Sequence, residues 1–207
     1  MKTFYFVRHG ESESNVGERY ADDETAPLTE KGRGQADALA DRCAKLPIEV
    51  IFASPLARTK ETATKISERI NIPIEFSREL VERPIPSELH GRLRKDADTR
   101  KIMDEWENGI LVDEQEFTDL KDRAGRALAM LEKRPESKIV VVTHGYFMRT
   151  ILAYVIFGPS FTSEEFGHIV KAIPNTEKSH LSVFRYYEDG RENPWKLWIW
   201  NDHSHLG

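Results

Sequence analysis

FYFVRHG (residues 4–10) and VVVTHG (residues 140–145) have the same form. Each is an apolar run that stops at His-Gly. A strand of continuous apolar residues is buried on both faces, which is the habit of a parallel sheet covered by helices. Strands of such a sheet point the same way, so His9 and His144 are predicted to meet at one rim despite their distance in sequence.

The intervening segments fit that frame. Glu49–Ala53 (EVIFA) reads as another buried strand, and Ile74–Phe76 as a short extended piece after Pro73. Thr29 opens a helix with Ala36, Leu39, Ala40 and Cys43 on one face. Ser54 and Pro55 suit the cap and first position of the next helix. Phe117–Lys133 and Tyr146–Phe157 read as helices around the Lys138–Thr143 strand. Leu181–Tyr187 and Trp195–Trp200, separated by the polar turn EDGREN, read as an antiparallel pair near an edge. Trp195, Trp198 and Trp200 are expected to make one packed aromatic face of the last strand. Alternation of strands and helices predicts an α/β, three-layer α/β/α sandwich with a mostly parallel central sheet. Residues 1–207 are expected to form a single domain. A charged segment of about 83–115, with one helix around Lys101–Glu107, is expected to be inserted as a cap.

Composition narrows the function. The 207 residues are 39% hydrophobic and 31% charged, with a formal net charge of −5. No long basic run is present, so nucleic acid is not an expected partner. No apolar run has the length of a membrane span. The start, MKTFYFVRHGE, lacks a secretion signal, and a cytoplasmic location is the expectation. The single cysteine, Cys43, excludes an internal disulfide and reads as a buried thiol.

In open parallel sheets, ligands bind beyond the carboxyl ends of the strands. The residues gathered there are Arg8, His9, Glu11, Ser12 and Asn15; Ser54 and Arg58; Thr143 and His144; and Glu79 and Glu82. Two arginines, two histidines and an asparagine make a cationic, donor-rich pocket in an acidic protein. Helix starts after Ser54 and Gly145 would add backbone N–H groups. The matching ligand is a compact dianion, which means phosphate. One neutral imidazole can attack phosphorus and hold it as a phosphoramidate, while the other stabilises the phosphoryl oxygens. Nearby arginines favour the neutral attacking form. A carboxyl group must then protonate the leaving alkoxide and deprotonate water. Arginine and histidine supply the positive charge, so neither a metal nor another cofactor is expected. The other histidines are isolated, and the His203-x-His205 pair reads as a solvated tail.

VRHGESESN (7–15), PLTEKGRGQA (27–36), SPLARTKETA (54–63), LVE (80–82), VVTHG (141–145) and WNDHSHL (200–206) together resemble the histidine phosphatase superfamily, the phosphoglycerate-mutase-like fold. The resemblance implies that His9 is the phosphorylated nucleophile. It implies that Arg8, Arg58 and His144 complete the phosphate pocket, with Asn15 as an additional donor. Glu82 matches the acid/base carboxylate, with Glu79 as the competitor. Asn175 resembles a position near the site.

Three function classes follow. A phosphomonoester hydrolase passes the phosphoryl group from His9 to water. A cofactor-dependent phosphoglycerate mutase returns it to a second hydroxyl. A sensor would keep the pocket without turnover, and the filled catalytic positions argue against that. Related mutases carry an ERHYG pattern after the acid/base residue and a Trp-containing stretch before Pro-Leu; both are absent from this sequence. The balance favours a hydrolase. Its expected partners are a small phosphorylated metabolite and inorganic phosphate. Loop 16–26, the insertion and stretch 158–178 are expected to wall the pocket, with Ile85, Leu89, Phe161 and Phe166 as apolar contributors.

Overall fold

The computed structural model describes residues 1–20, 24–107, 114–173 and 175–206. The elements in chain order are β1 (Lys2–Arg8), α1 (Glu13–Val16), α2 (Glu30–Cys43), β2 (Val50–Ala53), α3 (Ala57–Ile70), β3 (Ile74–Phe76), α4 (Ala97–Glu107), α5 (Glu114–Glu132), β4 (Lys138–Thr143), α6 (Gly145–Phe157), α7 (Ser163–Ala172), β5 (Leu181–Tyr186) and β6 (Trp195–Asp202). They build one sheet in the order β3-β2-β4-β1-β5-β6. Neighbours from β3 to β1 are parallel, and β5 is antiparallel to both β1 and β6. This is the expected α/β/α arrangement with antiparallel pairing at one edge.

The two-residue side-chain period sorts the strands into two cores. Phe4, Phe6, Ile139, Val141 and Phe184 face α5, α6 and α7. Val7, Val140, Val142 and Val183 face α2 and α3. Both faces of β1 and β4 are therefore covered, which is why their sequences are continuously apolar.

Local signals set the helix ends. Thr29 accepts from Gly32 N at 3.0 Å to cap α2. Asn71, with φ of 57°, closes α3 in the left-handed region. Ser54 does not cap α3: the helix begins at Ala57 with Leu56 as its N-cap. Two helices were not expected. α1 falls inside what reads as a loop, and α7 carries the Thr162-x-x-Glu165 capping box at its start.

The β1–β4 register fixes the site. Arg8 lies opposite Thr143, and His9 N donates to Thr143 O at 3.1 Å. His9 and His144 thus leave adjacent parallel strands at the same level. Ser54 N donates to Val142 O at 3.0 Å, which brings the end of β2 to the same rim.

The segment after Glu82 is tied back to the first loop. Gly91 N donates to Tyr20 O at 2.7 Å, Tyr20 N to Arg92 O at 3.0 Å, and Arg94 N to Glu18 O at 2.9 Å. Expectations placed on residues 21–23 and 108–113 lie outside the described residues.

At the other edge, the single aromatic face expected of the last strand does not form, because Trp195 and Trp198 are an odd number of positions apart and the two-residue period turns them to opposite faces. Trp195 is buried, whereas Trp198 is 57% exposed and lies under the Arg185 guanidinium at 3.7 Å. The tail is docked rather than solvated. His205 bonds Ser179 O at 2.8 Å, and His203 stacks on His180 with centroids 4.8 Å apart. No helix among the described residues is long and apolar enough to cross a membrane.

Candidate active site

The strand ends bring Arg8, His9, Asn15, Arg58 and Glu82 to one cavity. His144 lies behind Arg58, fully buried, with its ring centroid 5.2 Å from that of His9. Arg58 joins the two imidazoles. Its Nε donates to His9 Nε2 at 3.0 Å, and its Nη2 lies 3.1 Å from His144 Nδ1.

These bonds set the proton positions. His9 Nδ1 lies 2.7 Å from Gly10 O, which can only accept. Nδ1 therefore carries the hydrogen, and Nε2 offers its lone pair at the cavity. Arg58 can only donate, so His144 Nδ1 is the acceptor and Nε2 donates to Ser54 Oγ at 2.9 Å. Burial holds both imidazoles well below the ordinary histidine value, and Arg58 and Arg8 push in the same direction. Desolvation thus outranks the arginine effect expected from sequence. Both rings are neutral at pH 7. His144 is turned toward Ser54 and Arg58, not presented as a direct donor to a ligand.

Arg8 is anchored by Nη1 to Thr176 O. Its Nε is buried without a protein partner. Burial lowers its pKa, while Glu82 and Glu177 oppose that shift. A Cβ at 145 would overlap Asn175 Oδ1 and sit 3.0 Å from Arg8 Cζ, so glycine there lets both side chains approach the backbone closely. Asn15 Oδ1 accepts from Ser12 N at 3.2 Å, closing α1. Asn15 also lines the cavity. Asn15 therefore combines the turn-capping and pocket-lining readings.

The two candidate carboxylates part company. Glu82 lines the cavity and accepts from Tyr146 N at 3.1 Å and Phe147 N at 3.0 Å. Glu79 turns outward to Arg126, with Nε to Oε2 at 3.0 Å. The helix starts expected to bind phosphate are otherwise engaged. Those Tyr146 and Phe147 N–H groups bind Glu82, and Ala57 N donates to Glu24 O at 3.0 Å. Guanidinium groups are the principal donors lining the cavity.

Tyr20, Ile85 and Lys178 supply the outer wall, as the loop, insertion and later stretch were expected to do. Phe161 and Phe166 do not: both pack with Phe117 in the core. Leu89 is also buried away from the cavity wall. Trp106 belongs to the insertion expected to wall the pocket, whereas sequence reasoning missed Tyr146 and Arg149 as cavity residues. Tyr146 directly follows the His144-Gly145 step, and Arg149 lies one helical turn after Gly145, which was the available signal.

A mostly parallel sheet with a histidine and arginines gathered at its carboxyl rim places the chain among the α/β proteins whose sites lie at the strand ends. The chain belongs to the histidine phosphatase superfamily (branch 1), whose family model matches residues 4–196. A probable phosphoglycerate mutase GpmB from Enterobacter is 28% identical, covering 100% of this chain and 95% of that protein. Bacillus stearothermophilus YhfR superposes with a TM-score of 0.80 at 25% identity, covering 100% of both chains. A mycobacterial glucosyl-3-phosphoglycerate phosphatase gives a TM-score of 0.80 at 22% identity, covering 98% of this chain and 100% of that chain. The last likeness is one of fold.

Proposed function

We propose that this protein is a phosphomonoester hydrolase that works through a phosphohistidine on His9 and requires no metal. The observation that carries the reading is the His9 Nε2 lone pair at the cavity, beside the Arg58 guanidinium. Arg58 moves its N–H from that lone pair onto a phosphate oxygen as substrate binds. Nε2 then attacks phosphorus, and the bond from phosphorus to the leaving oxygen breaks. Glu82 gives that oxygen a proton. In the second half, Glu82 takes a proton from water, the water oxygen attacks phosphorus, and the N–P bond breaks to release phosphate. Arg8, Arg58 and Asn15 stabilise the phosphoryl oxygens, while His144 holds Arg58 from behind. The small phosphorylated molecules named for fold neighbours, phosphoserine and glucosyl-3-phosphoglycerate, suit this chemistry.

A second reading is a phosphoglycerate mutase, favoured by the name of the relative that is 28% identical. One assay separates them. Phosphate release from p-nitrophenyl phosphate and metabolite phosphates, measured with EDTA present, is expected from wild type and not from His9→Ala. Loss of activity in EDTA with restoration by one divalent ion overturns metal independence. Full activity of His9→Ala removes the nucleophile assignment. Isomerisation of 3-phosphoglycerate on addition of its bisphosphate, without phosphate release, selects the mutase.

A further inference from the structure

The charge of the cavity exceeds what one phosphate needs. Arg8, Arg58, Arg83, Arg94, Arg149 and Lys178 line it, against Glu82 alone among the described residues. Glu116 offsets Arg83, with Nε to Oε1 at 2.6 Å. A bound phosphate dianion offsets two of the rest, and a net positive charge remains. In a protein of net charge −5, that concentration of cations is local.

Its outer part is also short of acceptors. Among the described residues the Trp106 Nε1 is buried, lines the cavity and has no hydrogen-bond partner, while the Tyr146 hydroxyl is buried beside the Arg83 guanidinium. Trp106 and Tyr146 are only 6% and 2% exposed. Their rings stack with centroids 5.4 Å apart, which holds both polar ends in place. Indole N–H can only donate, and buried donors call for an acceptor. Arg94 is oriented by its bond to Ser14 O and by the Tyr20 ring 3.9 Å below its guanidinium, while its buried Nε has no partner. Lys178 makes no ion pair among the described residues. Burial and Arg8 lower its pKa, and Glu177 and Glu11 only partly oppose that shift.

We infer that Arg94, Lys178, Trp106 and Tyr146 form a second anion subsite, and that the substrate is a phosphomonoester carrying another negative group. This rests on the phosphatase reading of the same cavity. The phosphoryl end sits on Arg8, His9 and Arg58, and the second group takes the donors of the outer wall.

The test compares matched substrates. Phosphoserine against phosphoethanolamine and 3-phosphoglycerate against glycerol 3-phosphate isolate a carboxylate. Fructose 1,6-bisphosphate against fructose 6-phosphate isolates a second phosphate. At least one pair is expected to favour the more anionic member by about tenfold or more in kcat/KM, the ratio that one lost charged contact of typical strength represents. The pair that responds identifies the group. Lys178→Met and Arg94→Met are expected to bring that ratio toward one, and Arg94→Lys to restore part of it. The ratio is read on folded, active enzyme, so a general loss of protein does not mimic it. Equal kcat/KM within every pair, with hydrolysis intact, overturns the subsite and leaves the phosphatase reading standing. No hydrolysis of any substrate, p-nitrophenyl phosphate included, overturns both.

Discussion

Glu82 and Glu79 are three residues apart, and only one faces the cavity. Glu82→Gln keeps the side chain's shape and an acceptor for one of the two α6 N–H groups but cannot shuttle the proton. We expect its kcat to fall by about 10²–10⁴-fold, most steeply for esters with poor leaving groups. Glu79→Gln loses only an exposed pair with Arg126 and is expected to stay within about twofold of wild type, since such pairs contribute little. The opposite ranking in a steady-state assay reverses the assignment. His9 adds a pH signature. Its conjugate acid is held well below the ordinary value of 6.5 by burial, Arg58 and Arg8. The neutral, attacking form therefore persists as pH falls, and the acid limb of kcat/KM is expected below pH 6.5. A limb at or above 6.5 assigns the controlling titration to another group.

At the scale of elements, α6 does two jobs. Its first turn fixes Glu82 through two backbone N–H groups, and Gly145 lets Arg8 and Asn175 pass its N-terminus. Gly145→Ala is expected to destabilise the fold by about 1–3 kcal/mol, as overpacking does, and to weaken binding of inorganic phosphate. Urea titration and calorimetry read the two effects separately; wild-type values in both remove the close approach as a constraint. This part of the site was legible from the repeated His-Gly step, because register carries a strand-end residue to a known rim. The roles of the helix starts were not. Whether an N–H at Tyr146 meets phosphate or Glu82 depends on where the segment after β3 returns, and that is a tertiary matter. Ser54 shows the same limit: its Ser-Pro pattern promises a cap, yet its hydroxyl accepts from His144. The outer wall was least legible. Trp106 lies in the helix expected around Lys101–Glu107, and only the tertiary structure stacks it on Tyr146 at the cavity wall.

For the molecule as a whole, two fully desolvated imidazoles at the centre of the fold couple its stability to pH. His9 and His144 are neutral when folded and bind a proton near pH 6.5 when unfolded. Below pH 6.5 the unfolded chain thus holds more protons at these sites than the folded one, and acid favours unfolding. Each group contributes a slope of roughly 1.4 kcal/mol per pH unit until its depressed folded pKa is reached. His180 and His205, both lowered chiefly by burial, act in the same direction. The carboxylates held below their ordinary range, such as Glu49 and Glu136, start from a value of 4.5, so they enter at lower pH. The window between pH 6.5 and about 5 isolates the histidines. Urea unfolding is expected to give constant stability from pH 8 to 7 and a progressive loss from 6.5 to 5. His144→Gln is expected to reduce that slope whatever its effect on absolute stability. A flat profile through the window places the protonation of both imidazoles outside the folding equilibrium, and with it the claim that the site is held neutral by burial.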